Sequence, residues 1–201
     1  MVPTAASVSA FEQRLVDMFH REWRLAGRAG PLVSIAIVDE APEQQYLYPE
    51  FLLFQRLFER HGLKAVIADP AALQWRDGRL WLDDLAIDLV YNRLTDFYLE
   101  QPASAELREA YEQQVVVLTP HPQAHALYAD KRNLVALSDD ALLAGWGVDA
   151  ETRAILANKI PRTELVLAAN ADDLWARRKQ LFFKPAAGYG SKAAYRGDKV
   201  T

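Results

Sequence analysis

Leu32-Val33-Ser34-Ile35-Ala36-Ile37-Val38-Asp39 is a nearly continuous apolar run closed by an acid, and its reading decides the fold class. A strand wetted on one face alternates apolar and polar residues, whereas an unbroken run suits a strand covered on both faces, as in a parallel sheet flanked by helices. Upstream, Phe11, Leu15, Met18, Phe19, Trp23 and Leu25 recur mostly at three- and four-residue steps, which predicts an amphipathic helix over 11–26, ended by Gly27, Gly30 and Pro31. Downstream, 48–61 again has helical spacing with Gly62 as its stop, and 64–68 is a second short strand ending at Asp69-Pro70. Asp77-Gly78 between alternating residues of 73–82 predicts a tight β-hairpin. A third main strand over 87–91, a helix over 103–111 and a fourth strand over 115–119 complete the alternation.

That order predicts an α/β fold with an open, mostly parallel sheet. Ligands of such sheets collect beyond the carboxyl ends of the strands, where this chain carries Asp39, Asn92-Arg93 and Pro120-His121-Pro122. After Pro122 the texture changes. Short helices are predicted over 124–137, 139–143 and 149–157, broken by Gly145 and Gly147, then a further helix over 172–179 after the interruption Ile160-Pro161-Arg162-Thr163. The expected organisation is an α/β domain over 1–123, a helical connector over 124–180 and the start of a separate hairpin over 181–201.

Composition narrows the function classes. Of 201 residues, 51% are hydrophobic and 25% charged, ordinary for a globular chain with a sizeable core. The formal charge of −4 argues against a general attraction to nucleic acid or to an acidic membrane face. Cysteine is absent, which removes disulfides, thiolate metal sites and a cysteine nucleophile. Residues 1–10 lack the basic segment and apolar run of a secretory signal, and apolar runs are broken well before the ~18 residues of a membrane span. A cytoplasmic location, with small-molecule or protein partners, is the expectation.

The chemistry is concentrated near the end of the chain. Leu181-Phe182-Phe183 delivers Lys184-Pro185 into the turn Gly188-Tyr189-Gly190-Ser191-Lys192. Glycines let backbone N–H groups approach phosphate oxygens, and a lysine on the preceding strand supplies a positive charge that is costly to desolvate without an anionic partner. The alternative is an outward-pointing lysine on an edge strand followed by a plain hairpin loop. The P-loop pattern fails, because Ala193 stands where Ser or Thr must follow Lys192, and Gly188, Gly190 and Ala193 meet the dinucleotide pattern without its βαβ context. Arg196-Gly197-Asp198-Lys199 reads as a turn between two strands. Asp130-Lys131-Arg132-Asn133 opens a helix, where cations and backbone donors favour an anion, with a solvated basic cluster as the alternative. The Arg93 guanidinium can bind a carboxylate or phosphate, or pair with Asp96 or Glu100. His121 and His125 are four apart, but Pro122 lies between them and no third metal ligand is evident.

The succession Asp130-Lys131, then Ile160-Pro161-Arg162-Thr163, then Phe183-Lys184-Pro185 with Gly188-Tyr189-Gly190-Ser191, resembles the opening half of an ATP-grasp enzyme. Residues 32–119 resemble the α/β domain that precedes the grasp in that superfamily. The resemblance implies that Lys131 and Lys184 reach the phosphates of ATP, that Gly188, Tyr189, Gly190 and Ser191 close over them, and that Asn92, Arg93 and His121 contribute to an acceptor substrate. It implies a carboxylate–amine ligase working through an acyl phosphate, with a small-molecule carboxylate and a nucleophile as partners. It also implies Mg²⁺, whose ligands, like the adenine-binding segment, are expected beyond Thr201, so the chain by itself is expected to be truncated and inactive. The competing reading is a non-catalytic nucleotide- or partner-binding α/β module, with unpaired lid-strand edges favouring homo-oligomers. A Rossmann-like oxidoreductase is disfavoured, because Asp39-Glu40-Ala41-Pro42 follows the first strand in place of a glycine fingerprint.

Overall fold

The apolar run forms β1, Ser34–Val38, and all five residues are buried. It lies inside a four-stranded sheet with β2 (Lys64–Ala68), β6 (Leu89–Asn92) and β7 (Val117–Thr119), ordered β2-β1-β6-β7 and parallel throughout. The computed structural model describes residues 5–200, with side chains from Ser7 onward, and the chain divides into two units, Met1–Pro122 and Gln123–Thr201. The helices of the expected connector and the terminal hairpin fall in the same second unit. Among the described residues no helix is long and apolar enough to cross a membrane.

Successive side chains of a strand point to opposite faces, and each face of this sheet has its own core. Ile35, Ile37, Ala65 and Leu89 pack with Val16 and Phe19 of α1 (Ala5–Leu25) and Phe51 and Phe58 of α2 (Tyr48–Arg60). Phe19 meets the Phe58 ring edge-on at 4.9 Å. Ala36, Val38, Val90 and Leu118 pack on the other face against Leu107 and Ala110 of α3 (Ala105–Glu112). Leu80 and Ile87 join them from an antiparallel meander of β3 (Gln74–Arg76), β4 (Arg79–Leu82) and β5 (Leu85–Ile87). Each Val, Leu, Ile or Phe among them contributes roughly 1.5–3 kcal/mol when fully buried. Asp77 and Gly78 both take positive φ, 51° and 70°, the two-residue turn whose twist matches the strands it joins.

Three boundaries differ from the sequence reading. The helix expected over 11–26 begins at Ala5 and ends at Leu25. The fourth strand starts only at Val117, because the N–H of Val115 still bonds the carbonyl of Ala110 at the end of α3. The single strand expected over 87–91 is two: Ile87 pairs with Leu80 of the meander, and Leu89 pairs with Ile35 of the parallel sheet. Asp88 makes the break. Its carboxylate accepts from the N–H groups of Val33 and Ser34 (both 3.1 Å) and from Arg79 (3.1 Å), and its own N–H donates to Ser34 Oγ (2.9 Å). Ser34 Oγ donates to Ala86 O (2.7 Å), so the one hydroxyl in the apolar run is buried and satisfied.

A turn Pro122–Ala124 (α4) spans the boundary between the units, and in the second unit a π-helical turn His125–Ala129 precedes α5 (Asn133–Leu137), α6 (Asp140–Gly145) and α7 (Ala150–Lys159). The helix expected over 124–137 therefore breaks at Asp130-Lys131-Arg132, and the helix that follows has only five residues. Asp139 and Asp149 cap α6 and α7 by accepting from the N–H groups of Leu142 (3.0 Å) and Thr152 (2.8 Å). α8 (Ala171–Ala176) and a 3₁₀ turn (Arg178–Gln180) lead to β8 (Phe182–Phe183), which pairs antiparallel with β9 (Tyr195–Arg196). Gly197–Lys199, expected as a turn between strands, is a 3₁₀ turn after β9. Among the described residues of this unit, Leu143 and Leu174 are the only buried large apolar side chains. Hydrogen bonds to caps and turns therefore carry a larger share of its order than they do in the first unit.

Replacing Asp88 by Ala leaves two strand-end N–H groups without their acceptor, and urea unfolding of the first unit is expected to show a loss of about 2–4 kcal/mol. Gly197 is buried with its N–H on Leu181 O (2.9 Å), and a Cβ there would fall on the Arg178 carbonyl and within 3.1 Å of Leu181 O. Gly197→Ala is expected to open the β8–β9 hairpin, seen as accelerated amide exchange over 181–200 with the first unit unchanged, because the obstacle is backbone and cannot rotate away.

Candidate functional site

The hairpin between β8 and β9 carries the glycine loop. Four of residues 188–193 have positive φ: Gly188 (138°), Gly190 (57°), Ser191 (58°) and Ala193 (54°). Ser191 and Ala193 are not glycine, so each left-handed conformation costs on the order of 1–3 kcal/mol, as it does at Ala41, Asp77, Asp83, Leu99 and Gln114 elsewhere in the chain. Alternating backbone handedness turns successive N–H groups toward one side, the basis of anion-binding nests. Among the described residues no acceptor takes the N–H of Gly190 or Ser191, while Lys192 N–H bonds Tyr189 O (3.1 Å) and Ala194 N–H bonds Ser191 O (3.2 Å).

Lys131 ties this loop down from a distant part of the sequence. Its backbone N–H donates to Ala186 O (2.9 Å) and its Nζ to Gly188 O (3.1 Å). Its neighbours are occupied with each other: Asp130 accepts from the N–H (2.8 Å) and Nε (2.9 Å) of Arg132, which holds the Asp130 carboxyl below the ordinary carboxylate range. A cavity of about 240 Å³ results, lined by Lys131, Lys184, Lys192, Phe182, Tyr189 and the loop backbone of Gly188 to Ser191. Three ammonium groups and no carboxylate border it. None of the three makes a salt bridge among the described residues. The structure thus brings Lys131, Lys184, Gly188, Tyr189, Gly190 and Ser191 to one place, and adds Lys192, which sequence reasoning weighed only as a P-loop lysine.

One premise of the sequence reading is corrected. Lys184 does not end a buried strand: Phe182 is 55% exposed, Lys184 is exposed, and its Nζ lies 5.3 Å from the Phe182 ring centroid. No desolvation cost demands an anion there. Equally, the five-residue α5 is too short to act as a dipole toward an anion, and Lys131 acts through its side chain and its tie to the loop.

In the first unit, the chain leaves β1 toward β2 and leaves β6 toward β7, so the connections diverge between the carboxyl ends of β1 and β6. Asp39 and Asn92-Arg93 sit there. Asn92 is buried and used at both ends, donating to Pro120 O (3.1 Å) and accepting from Leu94 N–H (3.0 Å). Arg93 pairs with Glu50 (3.1 Å) and Tyr91 Oη (2.9 Å), and not with Asp96 or Glu100. Asp96 instead accepts from Glu100 N, Gln101 N and Ser104 Oγ, closing its own loop. His121 stacks on Tyr111 with ring centroids 6.0 Å apart. Burial pushes the Asp39 carboxyl above its ordinary range, against the opposing pull of the Glu40 N–H and the Arg93 charge.

A larger groove of about 520 Å³ in the second unit is lined by residues including Asp139, Asp140, Arg162, Thr163, Glu164 and Asn170; its three carboxylates outnumber the one guanidinium, which lies 3.4 Å from Glu164, so its charge does not suit an anion. Among the described residues no group of three His, Cys, Asp or Glu side chains stands ready to hold a metal ion. The lysine-lined cavity, with no carboxylate, does not fit Mg²⁺.

Because folded Asp39 holds its proton more tightly than the unfolded chain does, its contribution to stability falls as pH rises from the ordinary aspartate range through the raised value. Asp39→Asn is therefore expected to unfold at a higher temperature than the parent at pH 7, and the advantage to vanish below about pH 3.9, where the parent's Asp39 is protonated in both the folded and the unfolded chain. Thermal melts at both pH values check the sign. Compared with known proteins, the chain matches no protein-family model and no curated protein.

Proposed function

We propose that residues 123–201 form the phosphate-binding part of an ATP-dependent carboxylate–amine ligase of the ATP-grasp type, with Lys131 and Lys184 on the phosphate chain. The observation that carries this reading is the shared cavity: two lysines far apart in sequence, both named by the resemblance, border one space with a glycine loop and no carboxylate. At about 240 Å³ the cavity is smaller than the ~300–1,000 Å³ of pockets that enclose a whole drug-sized ligand, so the reading concerns the phosphate end of the nucleotide.

In the proposed reaction a substrate carboxylate oxygen attacks the γ-phosphorus, the bond from γ-phosphorus to the bridging oxygen breaks, and ADP leaves. A nucleophile then attacks the acyl carbon, loses a proton, and inorganic phosphate departs with the former carboxylate oxygen. The ammonium groups of Lys131 and Lys184 offset charge on the phosphoryl oxygens, and the N–H groups of Gly190 and Ser191 supply further donors. Their fixed placement matters, since phosphoryl transfer depends mainly on positioning and charge neutralisation. The lining supplies no magnesium ligand, and no step is assigned to the metal.

A second reading, a nucleotide-binding module without turnover, is favoured by one feature: the cavity holds no carboxylate to serve as a metal ligand or base. Binding separates both readings from a plain hairpin loop. In calorimetric titrations, Lys184→Ala is expected to weaken ATP by about tenfold or more, as the loss of a charge-assisted contact predicts, and Lys131→Ala by at least as much, since it also frees the loop. Lys159→Ala, at the end of α7, is the control and is expected to bind as the parent does. Equal affinity of the Lys184→Ala variant and the parent would overturn the phosphate assignment.

A further inference from the structure

We propose that Lys192 is the chain-length sensor of this cavity, selecting a di- or triphosphate over a single phosphate, with Tyr189 as the residue that positions it. The inference rests on the phosphate reading above and names the ligand class that site accepts.

Three observations converge on Lys192. It lines the same cavity as Lys131 and Lys184, so its ammonium is the third in one small space. Its Nζ donates to Tyr189 Oη (2.9 Å) and stands 4.5 Å from the centroid of the same ring. Its backbone N–H closes a turn onto Tyr189 O (3.1 Å), between the left-handed residues Ser191 and Ala193. The turn brings the lysine back over the tyrosine three residues earlier, and the ring and hydroxyl hold the ammonium there. A lysine side chain loses rotamer freedom when it is fixed, and the tyrosine bears part of that loss before a ligand arrives.

Charge then sets the ligand class. A phosphate group carries about −1.5 to −2 at pH 7, enough to offset two ammonium groups but not three. Lys131 and Lys184 therefore suffice for one phosphate, and the third cation gains a partner only when the ligand brings further phosphoryl groups. Lys184 leans on Phe182, an apolar ring, whereas Lys192 is held by a hydroxyl that accepts one of its three protons and leaves two to donate. Lys192 is thus poised to contact an added phosphoryl group without releasing Tyr189.

Titrating the full chain with inorganic phosphate, tripolyphosphate, AMP and ATP tests this. Lys192→Ala is expected to weaken tripolyphosphate and ATP about tenfold while changing phosphate and AMP less than about twofold, and Lys192→Arg to restore most of the loss, as expected for a charge contact. Tyr189→Phe keeps the ring and removes the hydroxyl, and is expected to fall between the parent and Lys192→Ala for tripolyphosphate and ATP, with phosphate and AMP unchanged. Circular dichroism checks the fold of each variant, and Lys192→Gln serves if the alanine variant does not fold. If the parent binds tripolyphosphate and Lys192→Ala binds it equally well, or loses all four ligands alike, the sensor role is overturned while the phosphate reading stands. If the parent binds neither ATP nor tripolyphosphate, both fall together.

Discussion

The architecture of the first unit depends on one carboxylate. Asp88 accepts from the first N–H groups of β1, bonds back to the buried hydroxyl of Ser34, and presents its carbonyl to Val117 at the start of β7 (3.0 Å). Three parallel strands are thereby aligned at their amino ends by a single residue. The same residue separates β5 from β6, so the meander folds over one face while β6 enters the parallel sheet. A charge is tolerated there because each of its oxygens has a hydrogen-bond donor; without those donors its burial would cost several kcal/mol.

The second unit is organised by a different balance. With few buried apolar side chains, its segments are held by caps, turns and side-chain ties, and the β8–β9 hairpin is anchored at one end by Gly197 against the Arg178 carbonyl. At the other end Lys131 fastens the loop through both its backbone and its ammonium. Such an arrangement concentrates positive charge without opposing carboxylates. An anion in the cavity would meet these lysines together, which is the basis of the proposed phosphate site.

The apolar run at 32–38, the helical periodicity on either side of it and the Asp77-Gly78 turn were legible because each is a local pattern with a local cause. Boundaries were less so. Asp88 reads in sequence as a polar interruption within a strand; that it ends one sheet and begins another depends on Val33 and Ser34, more than fifty positions earlier. The partner of Arg93 was sought among nearby acids and turned out to be Glu50, on a helix that the fold brings alongside. Lys192 was weighed in sequence only as a P-loop lysine and failed that pattern; its place depends on a turn whose backbone angles are not written in residue identity alone, since Ser191 and Ala193 are not glycine.

Sequence by itself determined the class of fold, the parallel sheet buried on both sides and the two lysines worth following, because periodicity and residue chemistry act within a few positions of themselves. Tertiary structure decided which of those groups meet. It spent Asn92 on the backbone, bound Arg93 to Glu50, left Lys184 in solvent and set three ammonium groups around one loop. Charge and hydrogen bonding act across space, so the distances that determine their strength exist only once the chain has closed on itself.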